Sequence, residues 1–302
     1  MWNPVSKAIT VRKMVSRCRP DIVHAQPAVG YGLWGAVSGF HPFVVSAWGS
    51  DVLIEPKRSW IQARILRFVL RRADLCIAVA RHLAVAMLPF GLRMDRAEVI
   101  PMGVDLRRHP PQVRPPSQRA PSFISTRGLE KLYDVGTLVR ASPRIFEAMP
   151  GTVGTVLGNG QERPALERLA REFGIQERLR FLGEVSPELV FDRLASSAVY
   201  VSTSTSDGAS VSLLEAMSQG CFPVVSDIPA NREWVSSPDG GILFPVGDAS
   251  SLSTGVISAL GNPSLLDASA QKNIELVRER GDLGKNLERV EALYSRLLRG
   301  AG

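Results

Sequence analysis

Cysteine is scarce in this chain of 302 residues: Cys18, Cys76 and Cys221 are the three present. An odd, widely spaced set supports neither a disulfide framework nor a zinc-binding pattern. Cys76 falls inside the apolar run Leu75–Val79 and reads as buried packing. Histidine is equally sparse: His24, His41, His82 and His109 are scattered, and no metal cluster is expected. His24, near a strand end, either faces a cleft or is a satisfied structural histidine. No stretch approaches the roughly 18 uninterrupted apolar residues of a membrane span. Met1–Pro20 is polar and basic, which does not read as a secretory leader. With so little cysteine, a reducing, cytoplasmic compartment is expected.

The apolar fraction is 45% and the charged fraction 22%, enough apolar material for a sizeable core. The net charge of +7 is uneven. Residues 1–120 hold 18 Lys/Arg against 7 Asp/Glu, a net +11, and residues 121–302 hold 18 against 22, a net −4. A basic half implies an anionic partner or simply a soluble basic surface. Nucleic acid fits poorly, because the basic residues lack a stacking platform. Peripheral contact with the inner face of a membrane is the other option. The segment Ser59–Arg72 offers two readings: a helix lying on an anionic membrane, or one packed on its own sheet with Trp60, Ile61, Arg64, Ile65, Phe68 and Val69 along one face.

Short apolar strands alternate with amphipathic helices, the signature of α/β folds with parallel sheets. Asp21–Ala25, Phe43–Ala47, Leu75–Val79 and Ala97–Ile100 read as strands of a first domain, 1–106. Arg107–Ser122 carries five prolines, so 107–121 reads as a linker. A second domain, 122–280, starts afresh. Its strands are Ser122–Thr126, Gly154–Leu157, Leu179–Leu182, Val199–Thr203 and Pro223–Ser226. Its helices are Val135–Ala148, Glu162–Phe173, Pro187–Ala195 and Val211–Gln219. This is a doubly wound, nucleotide-binding type of unit. A last helix within 281–302 has Leu287, Val290, Leu293, Tyr294 and Leu297 on one face, and is expected to return to the first domain.

Four constellations lie where such sheets bind ligands. Residues 206–217, SDGASVSLLEAM, leave a strand and open a helix, whose free amides and positive dipole end suit a phosphate. Gly208 permits close approach, and Ser210 and Ser212 cap or donate. Asp207 and Glu215 can accept from sugar hydroxyls. Arg127 and Lys131 follow the first strand of this domain, placed to neutralise a diphosphate. Gly158 and Gly160 flank Asn159 in a tight turn. Residues 227–234, DIPANREW, again join a strand to a helix.

Together with "PDIVHA", "GSDVL", "RADLCIAVA", "VIPMGVD", "LGNGQER", "LRFLGEV", "PVVSDIPANREWV" and "GGILFPVGD", these residues resemble the family 4 glycosyltransferases of the GT-B fold. That resemblance implies two doubly wound parallel-sheet domains, the first incomplete. It implies retaining, metal-independent transfer of a sugar from a nucleotide diphosphate sugar to an acceptor hydroxyl on a glycan or lipid-linked molecule, with no cofactor beyond the donor substrate. By that resemblance Arg127 and Lys131 contact the donor diphosphate. Asp207 and the loop Gly208, Ala209, Ser210, Val211 and Ser212 hold the donor sugar, Glu215 holds the ribose, and Val185 lies near the base. Four features depart from the family pattern. Asp207 stands where Glu is usual, Trp48 where a histidine is frequent, Lys131 lies closer to Arg127, and the early strands of the first domain are missing. The last departure leads to the expectation that Val23, Val44 and Val45 need another cover. The alternatives are a catalytically weakened nucleotide-sugar-binding protein and an epimerase of the same fold.

Overall fold

The computed structural model describes residues 4–111 and 114–300. The chain divides into one unit of Met1–Met102 with Lys285–Gly302 and a second of Gly103–Gly284.

The first unit contains α1 (Pro4–Cys18), β1 (Val23–Ala25), α2 (Tyr31–Ser38), β2 (Phe43–Ala47), α3 (Ser50–Leu53), α4 (Glu55–Arg58), α5 (Trp60–Arg72), β3 (Leu75–Ala78), α6 (Arg81–Met87) and β4 (Ala97–Val99). Its four strands pair in sequence order, all parallel. Every residue of β2 and β3 is buried, which explains their unbroken apolar runs. On one face lie α2 and α5. Gly35 of α2 lies so near the Phe43 ring that a Cβ there would come within 2.4 Å, so this helix needs small residues.

The unit of Gly103–Gly284 contains β5 (Ser122–Ser125), α7 (Val135–Ala148), β6 (Val153–Leu157), α8 (Arg163–Glu172), β7 (Leu179–Gly183), α9 (Pro187–Ser196), β8 (Val199–Ser202), α10 (Val211–Ser218), β9 (Phe222–Ser226), α11 (Pro229–Arg232), β10 (Ile242–Phe244), α12 (Ala249–Leu260) and α13 (Pro263–Arg280). Strand order is β10-β9-β8-β5-β6-β7, all parallel. The chain therefore winds outward from β5 to β7, then restarts at β8 and winds the other way. The switch point lies between β5 and β8. One core cluster, with Phe123, Leu138 and Val256, fills one side of the sheet. Another, with Ile124, Tyr200 and Leu214, fills the opposite side.

The last helix, α14 (Leu283–Gly300), lays Leu293, Val290, Tyr294 and Leu297 on Val44, Leu75, Ile77 and Ile100. It thus covers the second face of the first sheet.

Five expectations need correction. Val44 and Val45 are fully buried by the chain's own helices, whereas Val23, in the edge strand β1, is half-buried. Leu287, expected on the packing face of α14, is exposed, because its neighbours at Val290, Leu293 and Leu297 define the seam. On α5 the buried set is Leu66, Val69 and Leu70, and Trp60, Ile61 and Phe68 point to solvent. The short strand β10 does not read as a strand from sequence: its three residues stand between Gly241 and Pro245, in a stretch that resembles a loop.

The fifth concerns the proline-rich stretch 107–121, of which Gln112 and Val113 lie outside the described residues. Its described residues pack as part of the second unit rather than as a free linker. Its anchor is Arg119, buried, whose guanidinium donates to the carbonyls of Ser197 (2.7 Å), Gln219 (2.8 Å), Arg114 (3.0 Å) and Leu194 (3.4 Å). Three of those carbonyls belong to the carboxyl ends of α9 and α10, where a cation opposes both helix dipoles. Replacing Arg119 by Met removes the charged donor from all of them and leaves Leu194 O and Ser197 O only weaker partners, such as the Cys221 thiol. An Arg119→Met variant is expected to lose about 2–4 kcal/mol in equilibrium denaturation.

His24 is a structural histidine. Its Nδ1 lies 2.5 Å from Tyr294 Oη and its Nε2 2.8 Å from Ser46 Oγ, joining α14 to the sheet. Burial lowers its pKa from 6.5 to about 4. Between those values the unfolded chain binds the proton and the folded chain does not. Stability should therefore fall as pH drops from 6.5 toward 4. Denaturation midpoints across that range should show the slope, and a His24→Gln variant should flatten it.

Candidate functional site

The carboxyl ends of β5 and β8 flank the switch point, and the central side chain there is Arg127. It follows β5 by two residues and is almost fully buried. One terminal nitrogen, Nη2, donates to Asp207 Oδ2 at 2.7 Å. The other, Nη1, donates to Ser212 Oγ at 2.7 Å and Ser210 Oγ at 3.2 Å. The guanidinium also lies 4.3 Å from the centre of the Tyr133 ring. Thr203 Oγ1 donates to Tyr133 O at 2.7 Å, and Thr205 N to Leu132 O at 2.9 Å. These bonds tie the segment after β8 to the turn that carries the ring.

Residues 203–210 connect β8 to α10. Ser210 caps that helix, its hydroxyl accepting from Leu213 N at 3.4 Å. Gly208 is buried, whereas Ala209, Val211 and Ser212 are half-buried at the helix start. Tyr200, fully buried in β8, donates through its hydroxyl to Ser212 Oγ at 3.1 Å. Ser212 is thereby held between a phenol and a guanidinium. The hydroxyls of Ser210 and Ser212, the Arg127 cation and the first amides of α10 converge on one end of the helix. That combination suits a phosphate group.

Glu215, one turn into α10, lines a cavity of about 260 Å³ with Thr126, Leu157, Gly158, Glu184, Val185, Pro187, Val190 and Phe191. Burial raises its carboxyl pKa above the usual 4.5, and the nearby Arg127 charge partly offsets this. One wall is stiffened from behind: the Phe191 ring stacks on His109, centroids 3.7 Å apart and planes 2° from parallel. The cavity thus offers apolar walls and two acids, Glu184 and the more buried Glu215, a combination suited to a flat heterocycle attached to a hydroxylated ring.

The two glycines of the Gly158–Gly160 turn serve close backbone packing. Gly158 has φ +117°, and a Cβ there would sit 2.6 Å from Arg127 O. It lines the cavity as well. A Cβ on Gly160 would come within 2.4 Å of Leu129 O, and Gly160 does not line the cavity. Its requirement is packing against the β5 loop.

Lys131 is the residue that departs most from expectation. It is exposed and lines a different depression, of about 330 Å³, with Glu130, Asp134, Arg140 and Glu162 among its neighbours. The turn Lys131–Tyr133 is tight and 3₁₀-helical, and it turns the Tyr133 ring, rather than the lysine, onto Arg127. The 227–234 constellation is structural. Arg232 donates to both oxygens of Asp227, at 2.5 and 2.8 Å, and Asn231 Nδ2 donates to Ser226 O at 2.8 Å. Sequence reasoning missed Tyr133, Tyr200, Phe191 and His109. Each looks like an ordinary core or loop residue, and no motif marks it.

A reversed strand order with an anion-suited helix end at the switch defines a nucleotide-binding α/β unit. The family described as "Glycosyl transferases group 1" matches residues 111–276, and "Glycosyl transferase 4-like" matches residues 3–80. The chain belongs to the group 1 glycosyl transferases. It is 26% identical over 278 residues to glycogen synthase from Mycobacterium tuberculosis, covering 87% of this chain and 64% of that protein. It thus spans less than two thirds of that relative's length. To the D-inositol 3-phosphate glycosyltransferase of Geodermatophilus obscurus it is 28% identical over 200 residues, covering 61% and 44% of the two chains. Among solved structures, Anabaena HepE in complex with UDP superposes with a TM-score of 0.83 at 20% identity, covering 95% and 82% of the two chains. Sucrose-phosphate synthase from Thermosynechococcus elongatus superposes with 0.81 at 17% identity, covering 97% and 77%. Both share the GT-B fold with this chain.

Two of the charged groups at the site, Arg127 and Glu215, predict stability changes of opposite sign. An Arg127→Met variant removes the buried cation that pairs with Asp207 and bonds Ser210 and Ser212, and should cost about 3 kcal/mol. Glu215, with its pKa raised above 4.5, lowers folded-state stability as pH rises through that raised value. A Glu215→Gln variant should therefore melt higher than the parent chain at pH 7–8, as read by thermal denaturation without nucleotide.

Proposed function

We propose that this protein transfers a sugar from a nucleoside diphosphate sugar to an acceptor hydroxyl, with retention of anomeric configuration. The observation that carries the reading is the convergence of Arg127, Ser210, Ser212 and the α10 amino end beside a cavity holding Glu215 and Val185. In this reading the base lies along Val185 and Phe191, and the ribose hydroxyls donate to Glu215. The diphosphate lies on the α10 amides and Arg127. Asp207 and the loop Gly208–Ser212 face the donor sugar.

Chemically, departure of the nucleoside diphosphate leaves negative charge on its terminal phosphoryl oxygens. A fixed guanidinium and aligned amides stabilise that charge without reorganising. Arg127 is already oriented by two serine hydroxyls and the Tyr133 ring, so little ordering is needed when the phosphate arrives. Asp207 currently shares the guanidinium. A bound diphosphate competes with it for Nη2, which frees the carboxylate to accept from a sugar hydroxyl. Lys131 enters this scheme only if its turn rearranges.

Binding is the direct test. UDP, the nucleotide bound in the HepE structure, is the first probe, followed by GDP and ADP and their sugar conjugates. In calorimetry, one nucleoside diphosphate should bind the parent chain. Affinity should drop about 10- to 100-fold in both Arg127→Ala and Glu215→Gln, the loss expected for a hydrogen bond to a charged group. Binding with no loss in either variant would refute the site. A second reading, a protein that binds the donor without transferring sugar, is favoured by Trp48. This residue ends the strand region after β2, its backbone N–H donating to Asp51 Oδ1 at 3.1 Å, and its side chain can neither accept a proton nor serve as a base. Donor binding without turnover or hydrolysis would support it.

A further inference from the structure

Helix α5 has two apolar faces. Leu66, Val69 and Leu70 are buried against the unit. On the other side Trp60 is 70% exposed, Ile61 52% and Phe68 42%. At about 100° per residue, Trp60, Arg64, Arg67 and Arg71 form one outward line, and Ile61, Phe68 and Arg72 lie immediately beside it. The cations and the apolar groups are therefore interleaved rather than segregated. The Arg64 guanidinium stands 5.9 Å from the Trp60 ring centre, and that of Arg67 stands 5.8 Å from Phe90.

The same character extends sideways. Helix α2 packs beside both α1 and α5, and Arg12 of α1 donates to Val37 O of α2 at 2.8 Å. Helix α1 adds Lys7, Arg12, Lys13 and Arg17, with Ile9 and Met14 exposed. Exposed Tyr31 begins α2. The three helices contain no Asp or Glu. Such a face presents positive charge without internal neutralisation on its own elements, together with large apolar groups facing water.

We propose that the outer face of α1, α2 and α5 is a docking surface for an anionic lipid bilayer. Charge complementarity chooses this occupant. Lipid phosphates meet the arginines and lysines, while the acyl–headgroup boundary takes up Trp60, Ile61 and Phe68. A nucleic acid backbone would satisfy the cations but offers nothing to Ile61, Ile9 or Met14. An exposed tryptophan flanked by arginines is suited to the depth where the bilayer changes from polar to apolar. The inference does not rest on the transfer reading, since nucleotide binding is measured separately on the second unit.

The test is co-sedimentation of the full chain with phosphatidylcholine vesicles, with and without phosphatidylglycerol, at about 0.1 M salt. Binding is expected to the anionic vesicles only, and to weaken as salt rises. Arg64→Gln with Arg67→Gln should reduce partitioning about tenfold or more, near fivefold per cation removed. Trp60→Ala with Phe68→Ala should reduce it comparably while leaving the charge intact. Unchanged circular dichroism and unchanged thermal denaturation serve as folding controls for these surface variants. No association with anionic vesicles overturns the proposal. So does binding that ignores both double variants, or binding to a DNA duplex that is tighter than to vesicles and indifferent to Trp60 and Phe68.

Discussion

A single desolvated cation organises the second unit's ligand-facing edge. Arg127 stands where the sheet changes winding direction, and its two terminal nitrogens are divided between a carboxylate on the loop after β8 and two hydroxyls at the start of α10. A guanidinium so far from water requires every one of those partners, because an unpaired buried charge is expensive. Consequently the loop 206–210, the first turn of α10 and the Tyr133 turn are all fixed relative to β5. The carboxylate and the hydroxyls lie on one continuous segment after β8, and the parallel pairing of β5 with β8 brings that segment beside Arg127.

Around that point the rest of the site is shaped by close backbone packing. Gly158 allows the end of β6 to run against the Arg127 carbonyl, and Gly160 lets the following turn rest on Leu129. The Phe191–His109 stack then supports a cavity wall from outside the sheet. In the first unit a parallel sheet lies between α14 on one face and α2 and α5 on the other. Helix α5 spends a narrow stripe, Leu66, Val69 and Leu70, on that packing. Its remaining apolar residues are available to something outside the unit, and the arginines between them say what sort of surface that is.

Much of this was legible in advance. The alternation of apolar runs with amphipathic stretches gave the parallel α/β plan, because strands buried on both faces must be apolar throughout. The position of residues 206–215 between a strand and a helix marked the anion-suited end, and Arg127 followed from its place after the first strand. What misled was linear distance. Lys131 is four residues from Arg127, yet a single 3₁₀ turn sends it to a different depression. The five prolines of 107–121 read as a spacer because periodicity says nothing about a lone arginine inserted between two helix ends. On α5 the apolar residues occur on both sides of the helix, so pattern alone could not say which stripe is buried.

The sequence by itself determined the fold class, the strand–helix junction at residues 206–215 and the two acids, Asp207 and Glu215, that the junction carries. These depend on local spacing, on period and on which backbone groups a helix start leaves free. Tertiary structure alone decided that Tyr133 covers Arg127, that Tyr200 and Phe191 join the site, that Arg119 caps two helices, and that Trp60 and Phe68 face outward. Each of those outcomes depends on which element lies opposite, at separations along the chain that no local pattern encodes.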